Sequence, residues 1–135
     1  MKSISVKQSI EYWKKTAERD HDTVRGLMRL KRYPEALFYG HIVLEKILKA
    51  HVVQKTKVQA PYTHDLIRLQ EIAALDLPEN TLLLLDEVSD FNIRARYPEY
   101  KLTFYKRCTK SFADRYIEAI IQLYKELCQR LKQKK

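Results

Sequence analysis

The chain has 135 residues, 45% hydrophobic and 32% charged, with 26 Lys and Arg against 17 Asp and Glu for a formal net charge of +9. That length supports one sizeable core and is too short for two, and the composition excludes a disordered segment. With only 2 Gly and 4 Pro there is little material for tight turns, which favours long helices, while the cationic surplus attracts phosphates, nucleic acid or acidic proteins.

From Val6 to Leu30, Ile10, Trp13, Ala17, Val24 and Leu27 recur at helical steps after Ser5, a plausible N-cap with Gln8 three residues on. Lys14, Lys15, Arg19, Arg25 and Arg29 form the solvated opposite face. Pro34 suits the first position of a second helix running to about Lys55, antiparallel to the first. Ala36, Leu37, Gly40, Val43, Leu44, Ile47, Leu48 and Ala50 cover an arc wide enough for the centre of a bundle, with Gly40 admitting a neighbouring helix closely. The remaining face collects Phe38, His41, Ile42, Glu45, Lys49 and Val52, a mixed surface of the kind found between subunits.

A short third helix is expected after Thr63 as cap, with Tyr62 and Ile67 as a hydrophobic staple and Leu66, Leu69 and Ile72 inward. Asp76-Leu77-Pro78-Glu79 has capping-box spacing and opens a fourth helix through Leu85, Val88 and Phe91. Asn92 to about Cys108 holds Pro98 and no clean period, so it reads as a loop with room for a helical turn. The last helix begins near Thr109 and carries Phe112, Tyr116, Ala119, Leu123, Leu127 and Leu131 down to a basic end at Lys132 to Lys135.

Little here builds a known catalytic centre. Cys108 and Cys128 have no partner at disulfide or zinc spacing, which suits a reducing compartment. No histidine stands at a paired-ligand spacing, so no metal site and no cofactor are expected. Gly26 and Gly40, the only glycines, cannot make a phosphate-cradling loop, and no serine sits in a nucleophile elbow. His51 reads as a hydrogen-bonded core histidine and His41 as an interface residue. No apolar run reaches membrane-spanning length and no signal peptide is visible, so a cytoplasmic location is expected.

The informative run is Asn92 to Lys110. There Arg94, Arg96, Lys101, Lys106, Arg107 and Lys110 face a single acid, Glu99, and alternate with Tyr97, Tyr100, Phe104 and Tyr105. Arginine offers paired donors to phosphate and a tyrosine ring stacks on a base, so these are the parts of a single-stranded RNA or nucleotide site. The competing reading has Arg94 and Arg96 paired with Glu45, Asp65 or Asp90 and Tyr97 packed beneath the loop.

Five pieces in order, Trp13…Ala17…Asp20, Tyr33-Pro34-Glu35-Ala36, Glu45-Lys46 with Lys49-Ala50, Thr63-His64-Asp65-Leu66 and Ala95-Arg96-Tyr97-Pro98, resemble the HEPN family (higher eukaryote and prokaryote nucleotide-binding domain) from about Val6 to Leu131. The resemblance implies a helical bundle that commonly dimerises and acts beside a minimal nucleotidyltransferase in prokaryotic two-gene, toxin-antitoxin-like systems. Many members are ribonucleases that use an Arg followed, after a short spacer, by a His. No Arg here is followed by a His at that spacing, and Arg96 leads into Tyr97-Pro98, which resembles the branch without the nuclease motif.

The chain is therefore expected to be one all-α domain over residues 1–135, an up-and-down bundle of about five helices in which a short helix joins a four-helix core. Its expected role is binding a nucleotide, RNA or a nucleotidyltransferase subunit as a homodimer. Arg94, Arg96, Tyr97, Lys101, Lys49 and His64 are the candidate anion-binding residues, and Phe38, His41, Ile42 and Glu45 the candidate subunit contact. The alternatives are a metal-independent ribonuclease with a non-standard site, using His64 or His41, and a protein-interaction scaffold.

Overall fold

The sheer length of the periodic segments dictates three long helices, and a computed structural model describes them within residues 4–133, the side chains of Pro98, Lys132 and Gln133 excepted. Six helices follow one another: α1 (Val6–Arg29), α2 (Tyr33–Thr56), α3 (Leu66–Ala73), α4 (Glu79–Arg96), α5 (Pro98–Arg107) and α6 (Lys110–Gln133), with no strand among the described residues. The basic end expected to complement the last helix lies outside the described side chains.

Ser5 caps α1 as its spacing predicts: its hydroxyl accepts the Gln8 N–H at 3.1 Å and Gln8 Oε1 accepts the Ser5 N–H at 2.9 Å, a reciprocal pair worth roughly 1 kcal/mol. Helix α2 is the central post and touches α1, α3, α4, α5 and α6. Leu37, Leu44, Ile47 and Leu48 are wholly buried along it, each worth about 1.5–3 kcal/mol relative to exposure. At Gly40 an added Cβ would lie 3.0 Å from Ile120 Cδ1, so α6 crosses α2 at the one position without a side chain. His51 is a core histidine, its Nε2 2.8 Å from the Leu127 carbonyl.

Three local expectations give way. Asp65 rather than Thr63 caps α3, its Oδ1 accepting from Ile67 N at 3.0 Å and Arg68 N at 3.3 Å, and Tyr62 is fully exposed, so no staple forms. Asp76 does not open α4: it sits in the left-handed region at φ 53°, and the turn it makes points Leu75 and Leu77 both into the core. The stretch from Asn92 to Cys108 is helical, not a loop. Helix α4 runs on to Arg96, and α5 starts at once with Pro98 in its first turn and Glu99 behind it, which gives six helices where about five were expected. Only Phe104 of α5 is buried among the described residues, stacked 5.5 Å from Phe91, so this helix carries no apolar stripe for periodicity to detect.

Candidate functional site

The first turns of α2, the end of α4 and the outer face of α5 enclose a groove of about 300 Å³. Glu35 and Phe38 come from α2, Arg96 from α4, and Lys101 and Tyr105 from α5. Because α5 is helical, Lys101 and Tyr105 fall one turn apart, with the Lys101 ammonium 5.6 Å from the Tyr105 ring centre. Tyr105 donates its hydroxyl to Glu35 Oε2 at 2.8 Å. Burial, with that bond behind it, pushes the Tyr105 phenol above its ordinary range, so the ring stays a neutral donor. Among the described residues neither Arg96 nor Lys101 forms an ion pair. No side chain caps α2, and the positive end of its dipole adds to the two cations.

The other sequence candidates divide. Arg94 is neutralised by Asp90 one turn back, and its guanidinium lies 5.9 Å from the Tyr100 ring. The Asp90 bond also drives the Arg94 pKa further up, so this arginine follows the competing reading while Arg96 does not. Tyr97 joins α4 to α5 with its side chain 49% exposed, and it is not packed beneath the segment.

Lys49, His64, His41 and Glu45 form a second, separate constellation. The Glu45 carboxylate, 6% exposed, accepts from Lys49 Nζ at 3.0 Å through Oε2 and from His64 Nδ1 at 2.7 Å through Oε1. The Lys49 ammonium also lies 5.1 Å from the Trp13 ring centre. His41, wholly buried, donates from Nε2 to the His64 carbonyl at 2.9 Å, which leaves its Nδ1 as an unprotonated acceptor without a partner among the described residues. Burial holds the His41 imidazole below its ordinary 6.5, opposed by the His64 carbonyl and Glu45 and reinforced by the charge of Arg96. The segment leading into α3 thus covers His41 and Glu45, two of the four residues expected to meet a second subunit. His41 and Glu45 lie inside the chain, Ile42 is half-buried, and Phe38 lines the groove. Lys49 is likewise committed internally, and His64 alone of this cluster reaches solvent.

The sequence singles out Arg96, Lys101 and Phe38 without showing that they share a groove, offers Tyr105 only as one of the rings in the basic run, and gives no sign of Glu35 as a member. The signal was present as a repeated tripeptide: Tyr33-Pro34-Glu35 opens α2 and Tyr97-Pro98-Glu99 opens α5. Read alike, the two put a helix on Lys101 and Tyr105.

A helical bundle whose central helix is flanked by a cationic, ring-lined groove defines an all-α binding domain. Its lineage is specific: the model of the HEPN domain matches residues 10–133, and the chain belongs to that family. Among solved structures, TT1696 from Thermus thermophilus is similar at 18% identity, with a TM-score of 0.74 over 93% of this chain and 98% of that one. ST0689, an archaeal HEPN homologue, is similar at 22% identity, with a TM-score of 0.71 over 90% of this chain and 97% of that one. At these identities the likeness is one of fold. No curated protein matches. Among the described residues no helix is long and apolar enough to cross a membrane, and no group of three or more His, Cys, Asp or Glu is placed to hold a metal ion.

Proposed function

We propose that this HEPN domain is a nucleotide- or RNA-binding module that holds a phosphate-bearing ligand in the groove between α2, α4 and α5. The observation that carries it is the pair Arg96 and Lys101, two cations without an ion-pair partner among the described residues, beside the rings of Phe38 and Tyr105. Arg96 presents paired donors to phosphate oxygens, Lys101 adds a point charge, and a base rests against the rings. Binding rather than cutting fits the residues at hand, since no histidine follows Arg96 and an arginine cannot shuttle protons near neutral pH. The module acts in the cytoplasm as a homodimer with a minimal nucleotidyltransferase as partner subunit.

Fluorescence anisotropy with a labelled single-stranded RNA, repeated across a salt series, tests the groove. Arg96→Ala weakens binding and lowers the slope of log affinity against log salt by about one phosphate contact. An unchanged slope overturns the assignment.

A second reading, a metal-independent ribonuclease, draws support from the His64 ring held through Nδ1 by Glu45, the posture of an oriented proton-transfer group. It requires RNA cleavage that disappears in His64→Ala; intact RNA after prolonged incubation with the dimer removes it.

A further inference from the structure

The groove between α2, α4 and α5 holds one residue that a phosphate site does not need. Glu35 stands among its lining residues, in the first turn of α2, where a carboxylate opposes the anion that Arg96 and Lys101 attract. The positive end of the helix favours an acid at that position. It does not explain why this acid is tied to another helix, by the Tyr105 hydroxyl donating to Oε2 at 2.8 Å. The same tripeptide opens α5, and there Glu99 is exposed and makes no hydrogen bond or ion pair among the described residues.

We infer that Glu35 reads the base of the ligand and that the groove selects guanine, carried by a free nucleotide or by a residue of RNA. This rests on the reading of the groove as a phosphate and ring site. Only Oε2 of the carboxylate is engaged; Oε1 accepts no hydrogen bond among the described residues and is not shut off from solvent. An ionised carboxylate only accepts, through about four lone-pair sites, so the Tyr105 bond orients it and leaves most of them for a ligand. Guanine alone among the common bases presents two adjacent donors on its Watson–Crick edge, N1–H and the exocyclic amine, and one carboxylate accepts both. Adenine and cytosine set a ring-nitrogen acceptor beside their amine, and uracil flanks its N3–H with carbonyls, so each turns a lone pair on the carboxylate.

Phe38 follows Glu35 by one turn on α2, so a ring and an acceptor share one face of that helix. The Lys101 ammonium already stands against the Tyr105 ring, which makes Phe38 the ring for a base whose edge meets Glu35. The phosphate then falls to Arg96 and Lys101. A groove of about 300 Å³ is at the small end of ligand pockets, roughly 300–1,000 Å³, and suits one nucleotide rather than a run of stacked bases.

Isothermal titration of the intact chain at low salt tests this with GMP, IMP, AMP, CMP, UMP and the nucleoside guanosine. GMP should bind at least about tenfold tighter than AMP, CMP or UMP, with IMP, which keeps N1–H and lacks the amine, in between. Glu35→Gln should lower GMP affinity about tenfold and leave the other three unchanged or tighter, because the charge opposing phosphate is gone. A residue that merely braces α5 would weaken all four alike, and that result overturns the proposal. Equal binding of the four nucleotides that still depends on Arg96 overturns the guanine assignment and leaves the phosphate groove standing. Guanosine bound through Glu35 as tightly as GMP does the reverse, and no binding by any probe overturns both. Two labelled RNAs of equal length, with and without a guanine, separate the sources: preference for the first places the base in a strand, and equal binding beside a preference for GMP points to a free nucleotide. Glu35 is only half-buried, so Glu35→Gln is expected to fold, and its amide spectrum verifies that directly.

Discussion

The Glu45 cluster and the Arg96 groove are built from the same kinds of residue and use them in opposite ways. Around Glu45 each charge is met inside the fold: carboxylate by ammonium and imidazole, ammonium by carboxylate and indole face. Around Arg96 and Lys101 charge is left over at the surface, next to rings. Buried charge is costly unless paired, so the first arrangement holds α2 and the approach to α3 in register. Unpaired charge at an open groove costs the fold little and is available to a ligand.

The contrast predicts unequal penalties. Glu45→Ala should cost about 3–5 kcal/mol, because it strands the Lys49 ammonium in the interior; a loss under about 1 kcal/mol in urea unfolding would show that the cluster does not brace the fold. A smaller effect comes from His41. Its folded pKa lies below the 6.5 of the unfolded chain, so the unfolded state binds more protons between the two values. The contribution is complete above pH 6.5 and is lost as pH falls through the folded pKa. Urea midpoints measured from about pH 7.5 down to about pH 5 should decline accordingly, and His41→Gln should flatten the decline.

The smallest stability effects belong to the groove. Arg96→Ala and Lys101→Ala should each stay within about 0.5 kcal/mol while weakening RNA binding. Arg94→Ala, which removes a part-exposed pair with Asp90, should cost no more than about 1 kcal/mol and leave RNA affinity in place. Equal losses of RNA affinity in the Arg94 and Arg96 variants would erase the distinction between a committed and an available arginine.

How legible each region was follows from how it is stabilised. Helices α1, α2 and α6 bury apolar side chains turn after turn, and that repetition is visible in the sequence. Helix α5 buries Phe104 alone among its described side chains, so its signals were the local ones, Pro98 in its first turn with Glu99 behind it and the Lys106-Arg107 end. The Asp65 cap was hidden because Thr63, two residues earlier, offers an equally good oxygen, and only the bend of the chain decides between them. His41 and Glu45 read as surface because polarity in a sequence does not disclose a partner. Their partners, His64 and its carbonyl, lie 23 and 19 residues away and arrive only when the approach to α3 folds over α2.

Helix α5 forms a wall of the groove, held by the one buried ring of Phe104 and by the Tyr105–Glu35 bond to α2. Local opening follows the number of buried contacts, so α5 should open at a lower free energy than α2 or α6, as amide hydrogen exchange would show. Any ligand that bound Lys101 and Tyr105 would spend part of its intrinsic affinity in holding α5 in place.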